Sequence, residues 1–305
     1  MYYYLLHTII FLMSYIPVPI GQFLGKLLGI TAFMIPIERN RIALDNIRQS
    51  FGDSMEQEEI TNLYRQVLVN FGQMLFEVPH ILSMKKENLD KYVSFEGEDN
   101  LLNALKKAKG AFILTGHFVN WELIAAGVAI RFGQLAVVAR PSQSYSQNRL
   151  IYKLRSHFGT EIIPKQNSMR QIFSALKKNK MIAILLDQNV DWYQGVFINF
   201  LGRWACVNKG LALMALRTSS PVIPIFPVKQ KDGRYKIVIG EELKLIRTGD
   251  KTMDVEENTA LFTKIIEKQV KEYPDHWFWF HRRWKTIPYC PLPAESIITR
   301  TEQTA

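Results

Sequence analysis

The chain has 305 residues, 48% hydrophobic and 22% charged, a composition that excludes a disordered protein and allows one large core. A formal net charge of +10 favours an anionic partner, and nucleic acid, anionic lipid head groups or an acidic carrier protein would each satisfy it. The cysteines, Cys206 and Cys290, form no C-x-x-C and no metal-spaced cluster, so neither a disulfide framework nor a zinc site is indicated and a reducing compartment is expected.

From Met1 to Ile37 the only formal charge is Lys26, and Tyr2, Tyr3 and Tyr4 suit a membrane interface. A membrane-crossing helix needs about 20 apolar residues, but Pro17 and Pro19 interrupt this run after sixteen. One tilted span, a broken hairpin, an interfacial helix and a hairpin buried on the core all stay open. There is no basic leader and no A-x-A cleavage site, which argues against a removed signal peptide. Arg39, Arg41 and Arg48 follow, and such residues beside a span favour the cytosolic side. Residues 1–36 are therefore expected to be a membrane-associated helical segment, and 37–305 a catalytic domain.

Between Asp53 and Val78 apolar residues recur at helical steps, with Ser54 and Gln57 as a capping box and Pro79 as the stop. Beyond it, strands are expected at Tyr92–Phe95, Ala111–Thr115, Leu135–Ala139, Met181–Leu186, Val222–Pro227 and Tyr235–Ile239. Helices are expected near 98–108, 121–131, 144–158, 168–179, 207–218 and 254–273. This alternation predicts an α/β fold, a central mostly parallel or mixed sheet covered by helices. Ligands of such sheets bind at the carboxyl ends of the strands.

One such end carries "LTGHFVNWELIAAG", residues 114–127. On a single helix a five-residue step leaves His117 and Glu122 roughly 140° apart, so they could not meet. They can meet if His117 lies in the loop after the strand and Glu122 in the first turn of the next helix, with Asn120 as N-cap. In that arrangement a neutral imidazole takes a proton from a bound hydroxyl while Glu122 accepts the other ring N–H. The same residues are also read as a strand-end histidine and a first-turn glutamate favoured by the helix dipole. No G-x-S-x-G elbow, P-loop, G-x-G-x-x-G or H-E-x-x-H is present, so a covalent serine, a nucleotide cradle and a zinc-protease helix have no sequence support.

The stretch "GHFVNWE" resembles the H-x4-D/E motif of membrane acyltransferases, and most closely the bacterial lipid A biosynthesis acyltransferases, the late lauroyl and myristoyl transferases. Similarity continues in the same order through "ERNRIALDNIRQSFG", "VVARP", "YKLRSHFGTEIIPK", "ILLDQNVDWYQGVFINFLGRWACVNKG", "PVIPIF" and "HWFWFHRRWK". Val119 departs from the pattern, since many members have Gly there. The resemblance implies a glycerolipid-acyltransferase-like fold at the cytoplasmic face of a bacterial inner membrane. Its acyl donor would be an acyl carrier protein thioester, its acceptor a glycolipid hydroxyl of a lipid A precursor, with no metal, no cofactor and no nucleic acid. It makes His117 the base, Glu122 its orienter, and Arg155, Asp187, Gln188 and Asn120 substrate contacts, while Arg140 suits a phosphate because guanidinium pairs with it bidentately. A different glycolipid acceptor, an acyl-CoA donor and a non-catalytic basic membrane-binding module are the competing readings. "HWFWFHRRWK" mixes Trp277, Trp279 and Trp284 with Arg282, Arg283 and Lys285. That mixture suits a membrane interface, lipid phosphates, an RNA-binding strand or a set of core anchors.

Overall fold

The computed structural model describes residues 2–140, 144–166 and 168–289; Cys290 and Pro141 lie outside them. Its centre is a seven-stranded sheet in the order β1-β9-β8-β2-β5-β3-β4. The strands are β1 (Val93–Glu96), β2 (Ala111–Thr115), β3 (Leu135–Ala139), β4 (Glu161–Pro164), β5 (Met181–Leu185), β8 (Val222–Lys229) and β9 (Tyr235–Ile239). Neighbours from β8 to β4 pair in parallel, β9 is antiparallel to β8, and β1 is parallel to β9. Continuous apolar runs suit strands covered on both faces, and successive side chains alternate between two cores. Ile113, Val137, Ala183 and Ile225 pack under α5 (Glu98–Lys106), α6 (Trp121–Phe132) and α7 (Tyr145–Ser156). Phe112, Leu114, Ala136, Ile182 and Phe226 pack on the other side, against α8 (Ser168–Lys177), α9 (Gly210–Thr218) and α10 (Lys251–Glu272).

Three strands and one helix add to the expected elements. β4 is short, and the hairpin of β6 (Gly195–Phe200) and β7 (Arg203–Asn208) turns at Leu201 and Gly202, both at positive φ. A leucine in that conformation hides the usual Asn-Gly hairpin signal. β7 also takes the first residues expected for the helix at 207–218, which starts at Gly210. Residues of "ERNRIALDNIRQSFG" form α3 (Glu38–Phe51). The next helix, α4 (Gln57–Glu77), starts later than expected, and Glu59 rather than Gln57 reaches back to the chain before it, accepting from Glu56 N–H at 2.8 Å.

At the N-terminus α1 (Tyr2–Met13) and α2 (Val18–Met34) meet at a break near Pro17. Gly21, Gly25 and Gly29 form the buried stripe of α2, which lies against α4. A Cβ on Gly25 would collide with the backbone of Gln73, and one on Gly29 would sit 2.5 Å from Val69 Cα, so this backbone approach requires glycine. The rest of the hairpin is exposed and apolar, including Leu5, Ile9, Leu12, Phe23, Leu27 and Met34. Among the described residues no single helix is long and apolar enough to cross a membrane; α1 and α2 reach that length only together, bent by 119°.

The segment after α10 returns to the sheet. Trp277 and Trp279 are fully buried, and so is Arg283, which makes them core anchors rather than interface residues, while Arg282 and Lys285 stay exposed.

Candidate active site

β2 and β5 are hydrogen-bonded neighbours with Thr115 opposite Leu185, and each delivers a polar residue two positions past its last. His117 follows β2, Asp187 follows β5, and the imidazole Nδ1 lies 2.8 Å from Asp187 Oδ1. Asp187 Oδ2 accepts from the His117 backbone N–H at 2.7 Å and from Trp277 Nε1 at 2.8 Å. Between them, Gly116 leaves room: a Cβ there would stand 3.1 Å from Asp187 Oδ2. Burial alone would push the Asp187 carboxyl up, but His117 and these donors outweigh it and bring it down to about 2. A charged carboxylate only accepts, so the His117 proton sits on Nδ1 and Nε2 carries the lone pair. The Gln188 amide points its nitrogen at that lone pair from 3.2 Å.

Glu122 is therefore not the group that orients His117. Its carboxylate takes a forked ion pair from Arg155, with Nε at 2.9 Å and Nη2 at 2.5 Å, and a third bond from Trp121 Nε1 at 3.0 Å. Burial works against the Arg155 charge, but the Glu122 carboxylate outweighs it and holds the guanidinium firmly cationic. Trp121 joins the two halves of the motif, its ring edge-on to His117 at 5.2 Å between centroids. The physical reason for the difference is reach. Glu122 sits on α6 and faces α7, whereas the carboxylate nearest the imidazole arrives from the adjacent strand.

Asn120 occupies the N-cap position of α6 but does not cap it with its side chain; it adopts left-handed φ 57° and is fully buried. Its Nδ2 donates to Glu77 at 3.1 Å, which anchors the loop from below. Glu77, itself buried, also accepts from Lys229 (2.8 Å), Tyr235 (2.5 Å) and Gln22 of α2 (3.3 Å). On the other side of the loop, Phe278 N–H donates to His117 O at 2.9 Å and Val119 N–H to His276 O at 2.7 Å. Val119 is wholly buried there, and the departure from glycine is accommodated in core.

His117, Glu122, Arg155, Arg140 and Gln188 all line one cavity of about 610 Å³ at the carboxyl ends of the strands; Asp187 stands behind His117 and Asn120 beneath the loop. Sequence reasoning missed Lys165, His281 and the tryptophan behind Asp187. Lys165 follows β4 as Arg140 follows β3, and the two strand ends are paired, Lys165 N–H donating to Ala139 O at 2.9 Å. Burial, then the neighbouring Arg140, lowers the Lys165 ammonium, while Asp191 opposes them. Burial brings His281 down to about 4, with Arg283 adding to the shift and Asp187 opposing it; its neutral ring accepts from Asn189 N–H at 2.9 Å.

A doubly wound sheet with an imidazole and a carboxylate at its carboxyl edge, opening into a largely apolar cavity, fits an enzyme that handles a hydrocarbon group. The chain belongs to the bacterial lipid A biosynthesis acyltransferases, whose family model matches residues 1–286, and it is an acyltransferase. It is 24% identical to a lipid A biosynthesis palmitoleoyltransferase of Escherichia coli K12, over 92% of this chain and 90% of that one. To the lauroyltransferase of the same organism it is 22% identical over 92% and 90%, and to a lipid A biosynthesis acyltransferase of Haemophilus influenzae 23% over 88% and 82%.

Proposed function

We propose that the protein moves a fatty acyl chain from an acyl carrier protein thioester to a hydroxyl of a lipid A precursor, with His117 as general base. The observation that carries this reading is the basic Nε2 of an imidazole whose Nδ1 is locked by Asp187, at the lip of an apolar cavity, where an acceptor hydroxyl would take the place of the Gln188 amide. His117 Nε2 takes the acceptor's hydroxyl proton as its oxygen attacks the thioester carbonyl. The C–O bond forms, the tetrahedral intermediate collapses, the C–S bond breaks, and the thiolate leaves with the proton from the imidazolium. Asp187 stabilises the imidazolium in between, and base catalysis of this kind contributes ~10²- to 10⁴-fold. Glu122 keeps Arg155 charged and aimed at the cavity, where a cation stabilises the oxyanion. Arg140, with Lys165 beside it, suits an acceptor or donor phosphate.

The hairpin of α1 and α2 rests on the inner membrane by its exposed apolar face, and the catalytic domain expected from residue 37 onward stands on the cytoplasmic side. The acidic surface of a carrier protein suits the net charge of +10. Mass spectrometry of lipid products, from membranes incubated with the pure protein and a panel of acyl carrier protein and acyl-CoA thioesters, tests the reading. Acyl transfer by the wild type and its loss in a folded His117→Ala variant support it. No transfer from any donor, or undiminished transfer by the variant, overturns it; the first result favours a basic membrane-binding module, and the second a base other than His117.

A further inference from the structure

The cavity has apolar walls on both faces of the sheet and runs deeper on one: α8 and α9 line it to Ile172 and Met214, four residues in, and α6 to Val128, six residues beyond Glu122. On the α8 and α9 side the strands contribute Val138, Ile184 and Leu186, all close to their carboxyl ends. On the α6 side the lining descends from Ala139 and Leu185 to Leu135, the first residue of β3, and to Ala183 in the middle of β5. The same descent is visible on the helix, where Glu122 at the lip is followed inward by Ala125 and Val128.

Two independent measures give the depth of this arm. Ala139 to Leu135 is four residues of strand, about 13 Å at ~3.3 Å per residue. Glu122 to Val128 is six residues of helix, about 9 Å at ~1.5 Å per residue. Along the way the walls are mixed, with Ala125 on the helix and Ala183 on the strand beside Ile113, Ile124 and Val137, and Val128 and Leu135 stand at the bottom. A blind slot between one helix and one sheet suits a single unbranched chain, which a fatty thioester presents and a multi-chain glycolipid does not.

We propose that this arm holds the acyl chain of the donor, that Val128 and Leu135 form its floor, and that the floor selects donors of about ten to twelve carbons. An extended chain advances roughly 1.25 Å per methylene, so about 9 to 13 Å takes about seven to ten methylenes, and the carbonyl and its neighbours lie above, at His117. The inference rests on the acyltransferase reading and adds to it the length of the group transferred.

The test uses the full-length protein with saturated acyl carrier protein thioesters from about eight to about sixteen carbons, comparing kcat/KM for each, since one methylene in an apolar pocket changes kcat/KM about tenfold or more. The wild type is expected to prefer about ten to twelve carbons. Ala125→Leu, which fills the middle of the slot, shifts the optimum shorter by about two to four carbons, and Leu135→Ala, which lowers the floor, shifts it longer. Ile172→Ala, on the shallow side, leaves the order of preference as in the wild type. Because the two deep-arm variants act in opposite directions, a folding defect in one leaves the other decisive; thermal melts identify it. Transfer that persists with an unchanged order in Ala125→Leu and Leu135→Ala overturns the slot, as does a shift produced by Ile172→Ala alone. Absence of transfer by the wild type overturns the acyltransferase reading as well, which separates the two failures.

Discussion

Replacing Asp187 by Asn is the sharpest perturbation available, because it changes charge and hydrogen-bond polarity with almost no change in shape. The carboxylate is 4% exposed and accepts from the imidazole Nδ1, the His117 backbone N–H and Trp277 Nε1. An amide has one acceptor oxygen, so one donor loses its partner or the amide NH₂ turns to the ring and forces the proton onto Nε2. In that tautomer the base is lost, and a fall in kcat of about 10²- to 10⁴-fold is expected. The stability effect follows from the carboxyl being held at about 2 against an ordinary 3.8. That difference is about 2 kcal/mol at ~1.4 kcal/mol per unit. The folded-state value is depressed, so the stabilisation is present above pH about 4 and is lost as pH falls towards 2. Single-turnover acyl transfer with denaturant melts at neutral pH and at about pH 3 reads both effects. A folded Asp187→Asn protein with wild-type kcat would refute the assignment of Asp187 as the group that fixes the imidazole.

Glu122 and Arg155 are expected to act as one unit: Glu122→Ala, Arg155→Ala and the double variant lose kcat/KM to a similar extent, and a double-mutant cycle with additive losses would contradict the forked pair. Asn120→Gly keeps the left-handed backbone but removes the bond to Glu77. It is expected to lower the melting temperature, because the lost bond runs to a buried carboxylate, and Asn120→Val, strained at φ 57° as well, lowers it further. Because burial depresses His281 to about 4, the unfolded chain takes up its proton first, so the stability this ring contributes is full above pH about 6.5 and falls away on acidification towards 4. His281→Gln is expected to flatten that part of a stability-against-pH curve, measured by urea melts. Gly25→Leu forces the backbones of α2 and α4 apart and should lower the melting temperature and open the hairpin to protease.

What the sequence revealed follows what short-range patterns encode. Ala111–Thr115, Leu135–Ala139 and Tyr235–Ile239 are recognisable as strands because apolar runs end abruptly at turn residues, and their edges match the structure. The β6–β7 hairpin was not recognisable because its turn is built on Leu201. His117 could be placed at a strand end from local pattern alone. Its partner could not, because the approach of Asp187 depends on β2 and β5 being neighbours, 70 residues apart in the chain and with β3 and β4 between them. The nearby Glu122 therefore looked like the partner, although its helix turns it towards Arg155. Trp277 illustrates the same limit from the opposite end: an aromatic in a basic tail fits a membrane interface, an RNA-binding strand or a core anchor alike until the chain is seen to fold back, bury it and let it donate to Asp187.

The pairing of Thr115 with Leu185 has a consequence for how the protein fails. Since the imidazole and the carboxylate hang at equal offsets from two laced strands, their separation is a property of sheet register rather than of loop posture. Catalytic competence should then vanish in the same cooperative step as the sheet's slowest-exchanging amides, with no partly assembled, partly active form along the way.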